Sequence, residues 1–290
     1  MGETVDSGAS GFEANRGRLF GVAYRMLGSR ADAEDVVQDA YVRWHQTDRA
    51  SVRNTEAWLV ATTTRLAIDR LRALKTQRDA YVGPWLPEPM THDTPPPDRH
   101  LDLASDLSIA FLVLLERLGP EERAAFLLHD VFDFGYDEIA TVLDKTEDAC
   151  RQIVHRARTR VTSERKRFQP SESAKAALLR KFTEALEAKD EKALLSIFAA
   201  DATWTADGGG RTAASRTPIA GGAQIVRVVL GLRDRLLAAG TTLELGDVNG
   251  ETGLLMRTNG DVTAVLSIVS DGERIHAVYA IVNPDKLGAH

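Results

Sequence analysis

The stretch from Phe134 to Arg167, FGYDEIATVLDKTEDACRQIVHRARTRVTSERKR, constrains this chain most. Ile139, Ala140 and Leu143 share one face of a short helix. A turn, Asp144-Lys145-Thr146, follows. Cys150, Ile153, Val154, Ala157 and Val161 then recur at i, i+3, i+4, i+7 and i+11, the stripe of a longer amphipathic helix. Thr146 is suited to cap that helix, with Glu147 and Asp148 near the positive end of its dipole. Two helices joined by a tight turn describe a helix-turn-helix. Many such turns carry a Gly; Asp144 stands here, and Asp is among the residues that tolerate a left-handed conformation. From Arg151 to Phe168 there are seven Lys or Arg and one Glu, an imbalance that suits phosphate contact. Taken alone, the stretch also fits an ordinary helical hairpin with a solvated basic face.

The chain has 290 residues, enough for two or three domains, and its net charge of −6 announces no nucleic acid globally. A basic surface must therefore be local and balanced by acid elsewhere. The single cysteine, Cys150, excludes a disulfide framework and argues against a cysteine-based zinc site; it sits on the apolar stripe and reads as packing. No apolar run resembles a signal peptide or spans a bilayer, so a cytoplasmic protein without membrane contact is expected.

Helical periodicity also organises the first quarter. One helix carries Phe12, Leu19, Phe20, Ala23, Tyr24 and Leu27 and ends at Gly28-Ser29. A second, from about Asp32 to Trp44, turns Val36, Val37, Ala40, Tyr41 and Trp44 inward and Asp35, Gln38, Asp39 and Arg43 outward. A third, from about Asn54 to Lys75, has a core of Trp58, Leu59, Ala61, Leu66, Ile68 and Leu71 and a basic second half with Arg65, Arg70, Arg72 and Lys75. Residues 78–100 hold six of the ten prolines, which favours extended chain and marks a linker. Its apolar Trp85-Leu86-Pro87 cluster would be costly to leave in water. An apolar helix then runs from near Leu101 to Leu118, and another from Glu121 to Val131.

The runs ADAEDVVQDAYVRW (Ala31–Trp44) and AWLVATTTRLAIDRLR (Ala57–Arg72), followed by a helix-turn-helix ending in HRAR (His155–Arg158), resemble the two conserved domains of bacterial sigma factors of the extracytoplasmic-function type. That resemblance implies two all-α domains, sigma region 2 over 1–77 and region 4 over 101–169. It implies docking on core RNA polymerase, at the clamp helices and flap of its large subunits, with Asp35, Gln38, Asp39 and Arg43 as the region 2 contact. It also implies recognition of promoter DNA. At the −10 element the loop from Asp48 to Asn54 would hold a flipped base, and Arg65, Arg70 and Arg72 would meet phosphates. At the −35 element the helix capped by Thr146 would enter the major groove. Arg151, Gln152 and His155 would lie near the bases, and Arg156, Arg158 and Arg160 near phosphates.

About 120 further residues follow Ser171. Ala174–Leu186, Glu191–Phe198 and Ala220–Ala239 read as helices. Thr241–Val248, Gly253–Arg257, Val262–Val269 and Arg274–Val282 alternate as strands, separated by Asn249-Gly250, Asn259-Gly260 and Asp271-Gly272. Helices followed by an antiparallel sheet make an α+β domain, here over 170–290. The order resembles the SnoaL-like branch of the NTF2-like superfamily. WLPEP (Trp85–Pro89), DGGGR (Asp207–Arg211) and NPDKL (Asn283–Leu287) resemble three signatures of the sigma-factor subgroup with such a fused domain, although Lys is commoner at the place of Arg211. The subgroup implies control of sigma activity in cis. Trp85, Leu86, Pro87, Asp207, Gly208, Gly209, Gly210, Arg211, Asn283, Pro284, Asp285 and Lys286 would be the contact points.

Related folds include enzymes, and Asp207 and His276, with Trp204, Arg211 and Tyr279, are the catalytic candidates. No paired acid–base spacing emerges, and Gly208-Gly209-Gly210 lacks the surrounding pattern of a phosphate loop. The reading is a non-enzymatic sigma factor that needs no cofactor or metal, with a small-molecule ligand in the C-terminal domain as a further candidate partner. Its rivals are an operator-binding regulator and a SnoaL-like enzyme fused to a DNA-binding module.

Overall fold

A computed structural model of the chain describes residues 11–91, 107–165 and 170–288. The linker beyond Thr91, the expected helix start near Leu101, and Lys166 and Arg167 lie outside the described residues. The described residues form two compact units: residues 11–79 with 114–163, and residues 80–91 with 107–113 and 170–288.

In the first unit, α1 (Arg16–Leu27) ends on Gly28, whose left-handed φ of 65° lets its N–H donate to the Tyr24 carbonyl. Ser29 caps α2 (Arg30–Gln46) by accepting from the Asp32 N–H. Asn54 caps α3 (Thr55–Asp79) by accepting from the Ala57 N–H. Val36, Val37, Ala40 and Trp44 of α2 are buried, as their spacing predicts, while Tyr41 is half-buried against Phe12. Trp58 is half-buried and packs on Trp44, with ring centroids 5.3 Å apart. The α3 core differs from the expected one in a run of buried threonines, Thr62, Thr63 and Thr64. Their methyl groups serve a core that a pattern of purely apolar residues overlooks.

Four helices complete this unit or lead into it: α4 (Ile109–Leu115), α5 (Pro120–Asp130), α6 (Tyr136–Leu143) and α7 (Glu147–Arg165). The boundary between the units falls within α4. The helix-turn-helix lies where the sequence places it, with Asp144 at φ 53° and ψ 54° in the left-handed region. Thr146 caps α7 by accepting from the Ala149 N–H at 3.3 Å. Cys150, Ile153, Val154, Ala157 and Val161 are all buried. The buried face of α6 is rotated from expectation: Ile139 and Val142 are buried, Ala140 and Leu143 only half so.

The second unit holds α8 (Glu172–Glu187), α9 (Glu191–Ile197), β1 (Phe198–Asp207), β2 (Ile219–Ala220), α10 (Gly222–Ala238), β3 (Thr242–Val248), β4 (Glu251–Thr258), β5 (Asp261–Ser270) and β6 (Ile275–Ile281). Its sheet runs β2-β1-β6-β5-β4-β3. The expectation of a wholly antiparallel sheet is corrected here, because β1 pairs with β6 in parallel. Strand β1 itself goes unrecognised in the sequence: FAADATWTAD is rich in Ala and Asp, which strands disfavour. Parallel pairing with β6 and packing under α10 override that preference.

Both sheet faces are apolar because adjacent residues point to opposite sides. Leu254, Ala264 and Ala280 face α8, α9 and α10 with Phe182, Ile197 and Ile225. Their neighbours Leu255, Val265 and Ile281 join a second core with Val248, Val262 and Leu287, completed by Leu86 of the linker and Ile109 of α4. The structure thus buries Leu86 and Pro87 of the apolar linker cluster and half-buries Trp85, in line with the cost of leaving that cluster in water.

At the helix-turn-helix turn, Asp144→Gly is expected to hold or raise stability by up to about 1 kcal/mol, because Gly adopts positive φ without penalty. Asp144→Val should cost about 1–2 kcal/mol. Chemical denaturation of the full chain measures both.

Candidate functional site

Asp207, the last residue of β1, has a fully buried side chain. A carboxylate out of water needs donors, and four converge on it. Tyr81 Oη donates to Oδ1 at 2.6 Å, and the Gly209 N–H to the same oxygen at 3.1 Å. The Leu86 N–H donates to Oδ2 at 2.8 Å, and Lys286 Nζ to Oδ2 at 2.7 Å. Lys286 also donates to the Leu86 carbonyl at 2.5 Å. Its ammonium lies 4.2 Å from the Trp85 ring centroid and 5.1 Å from that of Tyr81. The cation is therefore held by one carboxylate, one carbonyl and two aromatic faces.

Asn283 extends the network. Its side-chain N–H donates to Tyr81 Oη at 2.9 Å, and its oxygen accepts from the Asp285 N–H at the start of the turn Pro284–Lys286. Burial, then the hydrogen bond to Asp207, push the Tyr81 hydroxyl well above its ordinary value, so it remains a donor. Gly209 is at φ 57°, and a Cβ there would lie 2.3 Å from the Asn283 amide nitrogen and 2.9 Å from Tyr81 Oη. Only a residue without a side chain lets the loop close over the network.

Of the twelve expected contact residues, the structure brings Trp85, Leu86, Asp207, Gly209, Asn283 and Lys286 together directly. Pro87 is buried beside them, Gly208 and Gly210 continue the loop, and Pro284 opens the short turn. Arg211 and Asp285 are peripheral: their exposed side chains face one another at 3.6 Å. A polar cavity of about 280 Å³ adjoins the loop, lined among others by Val82, Gly83, Arg211, Thr212 and Arg216. Tyr81, which supplies the shortest hydrogen bond to Asp207, escaped the sequence reading. It lies outside the signature runs, although an aromatic with a hydroxyl just before a buried linker cluster was the available signal.

His276, a catalytic candidate from the sequence, pairs with Asp271 at 2.8 Å at the β5–β6 turn. That hydrogen bond, helped by the Arg274 N–H, lowers the Asp271 carboxyl to about 2. The pair belongs to the turn, whereas Asp207 is saturated by the linker network. Among the described residues no cluster of three or more His, Cys, Asp or Glu could hold a metal, and no helix is long and apolar enough to cross a membrane.

In the first unit Asp35, Gln38, Asp39 and Arg43 all lie on the exposed face of α2. Asn54 has its side-chain oxygen engaged in capping α3. Arg65 donates to the Val142 and Thr141 carbonyls at 3.0 and 2.6 Å, at the carbonyl end of α6. Arg70 forks onto Asp32 at 2.8 and 2.6 Å, and Arg72 meets Glu121 at 2.7 Å. Arg151, Gln152, His155, Arg156 and Arg158 project from the exposed face of α7. Arg151 pairs with Glu147 and Asp148, Arg158 with Asp130 and Arg160 with Glu122. These pairs lie at the solvent-exposed surface, where ion pairs are weak.

Asp207→Ala would leave the largely shielded Lys286 ammonium, its side chain 12% exposed, without its carboxylate, and is expected to cost about 3 kcal/mol. Tyr81→Phe removes a single hydrogen bond and should cost about 1–2 kcal/mol. Urea unfolding of the two variants checks the ordering; equal and small losses would show that the carboxylate is not what holds the linker.

Comparison with known proteins bears on these two sites. Residues 12–77 match Sigma-70 region 2, and residues 108–161 match Sigma-70 region 4. The chain is 36% identical to the ECF RNA polymerase sigma factor SigJ of Mycobacterium tuberculosis, over 96% of this chain and 92% of that protein. It is 28% identical to the probable ECF RNA polymerase sigma factor SigI of the same organism, over 97% and 95%. The crystal structure of M. tuberculosis SigJ superposes with a TM-score of 0.78 at 35% identity, covering 97% of this chain and 98% of that one. With two sigma domains in order, and with likeness along nearly its full length, the chain belongs to the extracytoplasmic-function RNA polymerase sigma factors, which direct promoter-specific transcription initiation.

Proposed function

We propose that this sigma factor is controlled in cis by its C-terminal domain, acting through the linker between regions 2 and 4. One observation carries the reading: the buried Asp207 carboxylate takes hydrogen bonds from Tyr81 and Leu86 of the linker and from Lys286 near the C-terminus. The chain that joins the two DNA-binding regions is thereby tied into a separate folded unit. The course of the linker on leaving region 2 depends on that tie.

In this reading Asp35, Gln38, Asp39 and Arg43 dock on core polymerase, at the clamp helices, and region 4 meets the flap. An exposed, charge-bearing helix face gives orientation and a fast, salt-sensitive encounter. Asn54 with Arg65, Arg70 and Arg72 serves the −10 element. Thr146, Arg151, Gln152, His155, Arg156 and Arg158 serve the −35 element, with the first few near base edges. Release of Arg65 from the α6 carbonyls and of Arg72 from Glu121 accompanies DNA binding, since the same donors cannot serve both partners. The C-terminal domain regulates without catalysing a reaction, and the protein acts in the cytoplasm. A small polar ligand would enter through the cavity beside Arg211 and Arg216 and bias the linker contacts.

Promoter-directed transcription by the full-length protein with purified core polymerase tests this. Asp39→Arg is expected to reduce transcript yield at least tenfold and weaken core binding, with the fold intact. Asp207→Ala should keep core binding and change transcript yield in either direction. Wild-type yield from Asp207→Ala, at a temperature where the variant is folded, would remove the cis-control reading.

A further inference from the structure

The sheet has two tight hairpins of the same chemistry. Asn249-Gly250 joins β3 to β4, and Asn259-Gly260 joins β4 to β5, each with positive φ at both residues: 57° and 82° at the first, 56° and 94° at the second. The turn explains Asn259, which is exposed. It does not explain Asn249, which is 2% exposed.

Asn249 is buried because the linker lies on it. Its side-chain oxygen accepts from the Met90 N–H at 2.8 Å. Its side-chain N–H donates to the Leu107 carbonyl at 2.9 Å. Its backbone N–H donates to the Met90 carbonyl at 2.8 Å, and Thr91 makes an antiparallel bridge to Val248 beside it. Met90 is itself 2% exposed and Leu107 1% exposed, so these polar groups have been drawn out of water together. One amide thus grips the chain on both sides of residues 92–106. Asn suits the place because it carries a donor and an acceptor on one short side chain and tolerates a left-handed backbone.

We infer that Asn249 is a second anchor of the linker, separate from the Asp207 network, which holds Met90 and Leu107 together and so limits the separation of regions 2 and 4. This inference rests on the cis-control reading above. The reach of the chain gives it weight. Seventeen residue steps from Met90 to Leu107 span about 55–60 Å when extended. While both ends bind one amide, that length contributes almost nothing to the distance between the two DNA-binding regions. The Asp207 network cannot supply this restraint, because its linker contacts, Tyr81 and Leu86, lie only on the region 2 side of residues 92–106.

The test uses the full-length protein and two measurements: residue-resolved amide exchange, and promoter-directed transcription with core polymerase. In the wild type the Met90 amide should exchange far more slowly than free chain; exchange at the free-chain rate overturns the anchor without any variant. Asn249→Gly keeps the turn and deletes both side-chain bonds. It is expected to speed Met90 exchange about 10- to 30-fold, the loss of two ordinary hydrogen bonds, and to change transcript yield several-fold. Asn259→Gly makes the same substitution at the exposed turn and should do neither. Equal effects from the two variants would reduce Asn249 to a turn residue and overturn the inference. Faster Met90 exchange with wild-type transcription from Asn249→Gly, while Asp207→Ala alters transcription, would overturn this restraint but spare cis control. Wild-type transcription from both variants would remove cis control itself.

Discussion

A carboxylate removed from water must find its donors within the protein, and Asp207 finds them on segments remote in sequence. Tyr81 and Leu86 come from the linker, Gly209 from its own loop, and Lys286 from beyond the last strand. None of these donors would justify burying the charge alone; together they leave neither oxygen unsatisfied. The arrangement is all-or-none in character, since loss of one partner strands the others in a dry site. It therefore makes a firm latch, in contrast to a set of exposed ion pairs that could fray one at a time.

The linker held by this network also covers one face of the sheet of the second unit. An antiparallel sheet ordinarily keeps one face for water. Here Leu255, Val265 and Ile281 make the second face apolar, and Leu86 and Ile109, which flank the undescribed part of the linker, cover it. Asp207 and Asn249 supply the polar bonds at separate places along that cover. Apolar burial gives the linker its adhesion, and the buried polar groups give it its register. A chain segment that joins the two sigma regions is thus built into a third fold.

Electrostatics in the first unit follow a different logic. Net charge is negative, and the basic side chains of α3 and α7 are matched locally by Asp32, Glu121, Glu122, Asp130, Glu147 and Asp148. Deeper in, Arg123 is nearly fully buried, with Glu116 and the Met26 carbonyl as partners, and Glu116 also takes Arg78. Burial lowers Arg25 to about 10, and its guanidinium lies over the Phe132 ring. The exposed pairs are weak, whereas the buried ones join region 2 to region 4 within this unit.

The sequence by itself determined the elements whose signals are local. The helix-turn-helix with its left-handed Asp144, the cap at Thr146, the outward face of α2 and the three glycine turns could be read from spacing and residue type, because each depends on neighbours a few positions away. The signature runs pointed to a meeting of linker, loop and C-terminus, but could not say which atoms meet. Tertiary structure alone decided that β1 is a strand paired in parallel with β6, that Tyr81 serves Asp207, and that Asn249 does more than turn a hairpin. Each of these rests on partners far along the chain, such as the 121 residues separating Leu86 from Asp207. A hydrogen bond of that span leaves no periodicity for a sequence to display, and its necessity appears only once folding has taken both groups out of water.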